Sequence, residues 1–492
     1  MIRIKFASIF LFLIILGLPL FAEDNKPSWL NKKILKLQNL NDKDATSSEL
    51  NTNYIVSTID LNDLAEENLT LPYYYWSWSN VEDLTKKIGN LDINPKPQFR
   101  ELVLSILTSE MPNDIKIAKE ANLYITRLNK LLEIGNYEEA QRFIKNNDPD
   151  LRISYHQQFK LNILKGNDTL ACAQFKIESS ENTSLTQKIY CLDYEGKKSE
   201  AKIIYETAKT LNRISDHESL ILEILLYSKE IDETNLTKNI NNLSILDYVI
   251  LQKNGIKIEN KLIPIPLLYY NLSQISTLEK RLFTLEKLAG LGIITNKKLF
   301  VIYLEEDNVY NAALLKRKKC INELEAALLI KKTVHIREKL TKCLLIFEKI
   351  GLSSQFSKYY REAIKNEVND GWETPTSIKM RLLSKDYSSL GNELSENSNF
   401  SSAQSIAKNN FDKLNDLNAN EQNIIDAFRN PKFNVQIAAM IDQGKIGEVI
   451  ISSIKLLESG NSTDFYNGLV ALIQAGLIET AKDIAIRTIL KS

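Results

Sequence analysis

Gly135-Asn136-Tyr137-Glu138-Glu139-Ala140 sets a pattern that returns along the chain: a glycine with an alanine five places on. Gly166 stands before Ala171 and Gly196 before Ala201, so these glycines are 31 and 30 residues apart. Near the C-terminus Gly444 precedes Val449 and Gly476 precedes Ala481, 32 residues apart. A period in the low thirties within a helical chain means one helix–turn–helix unit per repeat. Glycine supplies the left-handed turn between two helices, and the alanine lets the second helix approach the first closely.

The sequence around these turns is helical in character. Ala121, Tyr124, Ile125, Leu128, Leu131 and Leu132 recur at helical intervals, as do Ile446, Val449, Ile450, Ile454 and Leu457. Only 11 prolines occur in 492 residues, none of them between Pro149 and Pro264 or between Pro266 and Pro375. Ser79-Asn80-Val81-Glu82 and Ser184-Leu185-Thr186-Gln187 have the form in which serine caps a helix and the acid or amide reaches back. The expected fold class is all-α.

The turn residues resemble the tetratricopeptide family. Gly135, Tyr137 and Ala140 match its turn signature, and Gly196, Ala201, Tyr205 and Ala208 follow its order of turn, close contact, aromatic and small residue. Leu128 and Leu131 sit where that family keeps its first-helix core. The family's tryptophan and terminal proline are absent, and the units run short. The resemblance covers about three units near 120–210 and two near 440–490. It implies a degenerate α-solenoid of stacked antiparallel helix pairs, whose inner surface would hold a protein or peptide partner.

Outward from the repeats, the chain begins with Arg3 and Lys5, the apolar run Ala7–Leu18, Pro19, and Ala22 directly before Glu23-Asp24-Asn25-Lys26. A basic start, a short hydrophobic run and a small residue at a polar boundary form a secretory signal peptide. An uncleaved anchor is the alternative, but the run falls short of the roughly 20 apolar residues of a spanning helix. Cleavage between Ala22 and Glu23 leaves a periplasmic or secreted chain with no later membrane span. The expected organisation is a signal peptide over 1–22 and a flexible, low-complexity segment over 23–75. Helical repeats then cover 76–256 and 268–492, separated by an extended break over 257–267 at Pro264-Ile265-Pro266.

The chain is 44% apolar and 25% charged, with 62 basic against 62 acidic residues. Loss of Arg3 and Lys5 leaves 60 against 62, a balance without a global field for nucleic acid or an anionic membrane. The run Lys316-Arg317-Lys318-Lys319 reads as a solvated helix face. No phosphate loop, dinucleotide-binding glycine motif, paired-histidine zinc motif or nucleophile elbow is present, so neither cofactor nor catalysis is expected. His156, His217 and His335 are far apart, and Glu338, three residues after His335, does not complete a metal set. Glu138-Glu139 and Glu305-Glu306-Asp307 read as solvent-facing acids on helices.

Two further features carry specific expectations. Tyr73-Tyr74-Tyr75-Trp76-Ser77-Trp78 reads as a cap over the first helix that closes the open end of the array, the alternative being an interface or a carbohydrate-stacking surface. Four cysteines in an oxidising compartment should form bridges. The midpoint of Cys172 and Cys191 falls at Glu181-Asn182, just before the Ser184 cap, and that of Cys320 and Cys343 at Lys331-Lys332, before Thr333, another candidate cap. Residues equidistant from a hairpin turn come level, so Cys172 should join Cys191 and Cys320 should join Cys343. The expectation is a non-catalytic scaffold for protein or peptide partners in the cell envelope. The alternative is the helical superstructure of a wall-acting enzyme, resembling that of soluble lytic transglycosylases, or its accessory subunit.

Overall fold

A computed structural model describes residues 71–490 apart from 93–94, 112–120, 147–154, 176–183, 229–242, 257, 259–262, 273–275, 392–397, 413 and 415–416. The expected signal peptide over 1–22, its Ala22–Glu23 junction and the segment 23–70 lie outside the described residues. Among the described residues every regular element is helical, and none is a strand.

The five glycines mark five joined helix pairs. Gly135 separates Ala121–Glu133 from Tyr137–Asn146, Gly166 separates Tyr155–Leu164 from Asp168–Phe175, and Gly196 separates Leu185–Tyr194 from Lys198–Thr210. Gly444 separates Val435–Asp442 from Ile446–Glu458, and Gly476 separates Ser462–Gln474 from Ile478–Leu490. The members of each pair pack on each other. All five glycines have positive φ, from 69° to 84°. The turn is the same each time: the amide three residues beyond the helix donates to the carbonyl five residues back, as in Asn136 N to Leu131 O at 2.9 Å and Lys197 N to Leu192 O at 2.8 Å. This is the Schellman closure, which satisfies carbonyls that a helix end otherwise leaves bare. Ala140, Ala171, Ala201 and Ala481 are wholly buried, and so is Val449 at the equivalent position of the Gly444 pair.

The same turn recurs where the sequence pattern faded. Gly255, Gly292, Gly351 and Gly371 adopt it, and so do Asn212, Lys385 and Asn409 with positive φ but no glycine. Gly290-Leu291-Gly292 ends the helix Leu278–Gly290, whose Leu282, Leu285 and Leu288 are buried. One continuous apolar core runs from Tyr137 to Met380, and it includes Ile263 and Leu267 from the expected break. Pro264 is extended there, but Ile265–Leu268 is a short helix rather than extended chain. Proline fits a first helical turn, where its missing N–H is not needed.

The two ends of the described chain meet. Helix Val81–Gly89 packs on Ile446–Glu458, as does the 3-10 turn Tyr73–Trp76. Phe99 lies beside Phe465, ring centres 6.4 Å apart. All described residues belong to one compact unit.

Local starts differ from expectation in two places. Asn80, not Ser79, caps Val81–Gly89 by accepting from Asp83 N, which frees the Ser79 hydroxyl to donate to Glu448. Lys332, not Thr333, precedes Thr333–Glu348, with no side-chain cap. Ser184 does cap as expected, in a complete box with Gln187.

Candidate functional site

Among the described residues, ionised groups from remote segments meet around Lys385. This lysine follows the helix Pro375–Leu383 and holds φ 61° in the Schellman turn, with Asp386 N donating to Arg381 O at 3.0 Å. A side chain in that backbone region costs strain that glycine avoids. Here the side chain has work to do. Its ammonium lies 3.0 Å from Glu101 Oε1 and 3.3 Å from Asp483 Oδ2. Lys358 Nζ donates to Glu101 Oε2 at 3.2 Å, and Arg487 lies 3.9 Å from the same Asp483 oxygen. Four helices supply the groups: Arg100–Thr108, Ser353–Tyr359, Pro375–Leu383 through its turn, and Ile478–Leu490.

Electrostatics decides what this cluster can do. Burial works to raise the Glu101 carboxyl, but Lys358 and Lys385 overcome it and hold it down at about 2. Burial likewise works to lower Lys385, and Asp483 and Glu101 outweigh it, raising the ammonium. A carboxylate ionised throughout the physiological range has no proton to give, and an ammonium held charged has no lone pair to take one. The cluster is a strut that joins Arg100–Thr108 to the last described helix, Ile478–Leu490, not an acid–base pair.

Four smaller groups repeat one chemistry, a tyrosine hydroxyl and a cation sharing one carboxylate; in one, Glu223 accepts from Tyr205 at 2.8 Å and from Lys209 at 2.6 Å. Glu138 accepts from Tyr269 at 2.9 Å and from Lys298. Asp168 accepts from Tyr190 and from Lys253, the latter at 2.8 Å. Glu286 accepts from Tyr303 and from Arg317. Burial first, and the neighbouring carboxylate second, push Tyr190, Tyr269 and Tyr303 upward, so all three remain donors.

These groups revise several expectations about charge. Glu138 is tied to Tyr269 and Lys298, and Glu139 lies 2.7 Å from Arg142. Glu305 holds Arg281 at 2.6 Å, while Asp307 stays largely exposed. In the basic run only Lys316 and Lys319 face solvent. Arg317 is buried on Glu286, and Lys318 is buried with its ammonium on Glu305 O. Adjacent positions on a helix point about 100° apart, so a run of four cannot share one face.

The aromatic segment splits in two. Tyr75 and Trp76 are buried, whereas Tyr73 and Trp78 are exposed and Tyr74 is half-buried. Trp76 is seated against Gly447, where a Cβ would come 2.5 Å from Trp76 Cε3, and Trp78 lies against Gly444. Glu448, itself buried, accepts from Ser79 Oγ at 2.7 Å and from Asn80 N at 3.0 Å. A partner of this segment is thus the helix Ile446–Glu458, near the other end of the chain.

Both disulfides have the expected pairing: Cys172 with Cys191, Cα atoms 5.3 Å apart, and Cys320 with Cys343, 5.8 Å apart. The first links Asp168–Phe175 to Leu185–Tyr194, and the second joins the two long helices Ala312–Ile330 and Thr333–Glu348. Among the described residues no group of three His, Cys, Asp or Glu side chains could hold a metal ion. His217 Nε2 is 3.0 Å from Asp247, His335 is exposed, and His156 lies on Tyr155–Leu164. No described helix is long and apolar enough to cross a membrane.

The Lys385 cluster left no sequence signal, because its members are spread from Glu101 to Asp483. The one local hint is a helix ending at Ser384-Lys385-Asp386 without glycine. The chain matches no protein-family model, no curated protein and no solved structure.

Proposed function

We propose that this protein is a non-catalytic helical-repeat scaffold of the cell envelope, of tetratricopeptide-like solenoid type, that holds protein or peptide partners. The observation that carries the reading is the set of five helix pairs with one turn chemistry, four of them with a buried alanine five residues past the turn glycine. Repeated helix pairs make extended surfaces suited to holding a chain segment. Two disulfides, with no spanning helix among the described residues, fit a chain working in an oxidising, exported compartment. The ionised groups that converge are matched to one another, which suits a rigid frame.

The test pairs two measurements on the protein purified with its disulfides formed. Cross-linking in intact envelopes should recover the same partner repeatedly, at contacts that map to exposed helix faces. Release of soluble fragments from purified peptidoglycan should be absent. Wall-release activity that disappears when one carboxylate is changed would overturn the reading in favour of a wall-acting enzyme.

A further inference from the structure

The helices Ala312–Ile330 and Thr333–Glu348 form a hairpin joined by Lys331 and Lys332, with Lys331 at φ 56°. At its tip Leu329, Ile330 and Val334 are 83%, 64% and 76% exposed. Isolated exposed aliphatics are ordinary on any protein surface. Three within six residues, gathered at one turn, are not isolated. Along the sequence no acidic residue occurs from Ala326 to Arg337; of the flanking acids, Glu325 is held by Tyr360 and Glu338 lies 3.7 Å from Lys339. Arg337 is engaged by Glu367 at 2.8 Å, which leaves the tip's own cations as Lys331 and Lys332. Lys331 and Lys332 are exposed and meet no acidic partner among the described residues.

From this juxtaposition we infer that the hairpin tip is a docking point for an anionic lipid surface, entered end-on by Leu329, Ile330 and Val334 with Lys331 and Lys332 at the headgroups. The inference rests on the tip alone and not on the scaffold reading. Aliphatic side chains gain by entering the acyl boundary, and lysines nearby gain from anionic headgroups. A protein hot spot would favour aromatic residues and arginine, and the tip has no aromatic side chain. With 62 basic and 62 acidic residues, the chain has no long-range field to draw it to such a surface. The attraction is therefore local and falls off within a Debye length. The Cys320–Cys343 bridge lies two to three helical turns behind the tip and joins the two arms, so the aliphatics are presented without having to be ordered on contact.

The experiment is co-sedimentation of the oxidised protein, begun at Glu23 so that the apolar run Ala7–Leu18 contributes nothing. The vesicles are either phosphatidylglycerol and phosphatidylcholine in equal parts or phosphatidylcholine alone. The protein should sediment with the first and not the second, and added salt should release it. Combined Leu329→Ser, Ile330→Ser and Val334→Ser should weaken sedimentation by roughly tenfold or more, and Lys331→Gln with Lys332→Gln should weaken it chiefly at low salt. All five side chains are exposed, so the melting midpoint should not move, which separates lost docking from lost folding. Protein that stays in the supernatant with both vesicles overturns the inference. So does a serine variant that sediments like the parent, or equal binding to both vesicles. A serine variant that instead loses a cross-link to an envelope protein, with no vesicle binding by the parent, would reassign the tip to a protein partner.

Discussion

Lys385 Nζ lies 3.0 and 3.1 Å from the two carboxylate oxygens of Glu101, across 284 residues of sequence. It does so from a backbone conformation that nine glycines take in equivalent turns of the chain. Lys385→Gly would therefore relieve the backbone and break the strut at once. Relief of a left-handed residue is worth about 1 kcal/mol, while stranding one partner of a buried ion pair costs about 3–5 kcal/mol, and this half-buried pair falls at the low end of that range. A net loss of about 2 kcal/mol is expected in urea unfolding; a variant as stable as the parent would show that the cluster contributes nothing.

The same cluster sets a pH dependence. Glu101 titrates at about 2 when folded, against an ordinary 4.5. A lowered carboxyl stabilises above its unfolded pKa, and that contribution is lost as pH falls through the folded value. About 3 kcal/mol should therefore disappear between roughly pH 5 and pH 2. Glu101→Gln should start less stable at neutral pH and lose less on acidification, as read from urea midpoints measured across that window.

Gly447→Ala should act through the tryptophan above it. A Cβ there would lie 2.5 Å from Trp76 Cε3, and Trp76 has no exposed surface to retreat toward. Overpacking of this kind costs about 1–3 kcal/mol. Gly391→Ala, where nothing lies within 4 Å, should be near neutral. Tryptophan emission would report the displaced ring as well as the lowered midpoint.

Ala201→Glu would place an unpaired carboxylate at a fully buried helix contact. A loss of about 3 kcal/mol or more is expected, seen as an early circular-dichroism melt. Ala313→Glu, on an exposed position, should melt like the parent. Equal melts for the two variants would mean that the Gly-to-Ala spacing does not mark helix contacts.

Cys320→Ser with Cys343→Ser removes the bridge across the longest hairpin, whose half-cystines are 23 residues apart. Closing a loop of that size stabilises by roughly 3 kcal/mol in the chain-entropy model. Non-reducing peptide maps of the parent should show Cys172 with Cys191 and Cys320 with Cys343. Crossed pairs would be incompatible with the described helices.

Helix content, the five turn glycines and both bridges were legible because each rests on local rules: apolar period, glycine φ and equal distance from a turn. The Ser184 cap was legible for the same reason. Ser79 was misread because its hydroxyl is claimed by Glu448, 369 residues away, and no local rule sees that partner. Likewise Arg317 and Lys318 are exposed by their composition and buried by Glu286 and Glu305 O. The Lys385 strut was invisible, since tertiary packing alone brings Glu101, Lys358 and Asp483 to it.

The seat of Trp76 on Gly447 also has a temporal meaning. A chain made, or threaded through a membrane, from its N-terminus presents Trp76 long before Gly447 exists on the same side. At roughly 5–20 residues per second of synthesis, the wait is on the order of tens of seconds. Until then Trp76 lacks the helix on which it is seated. A product truncated before the helix Ile446–Glu458 would lack that seat altogether, so the last helices made complete the packing of the first described ones.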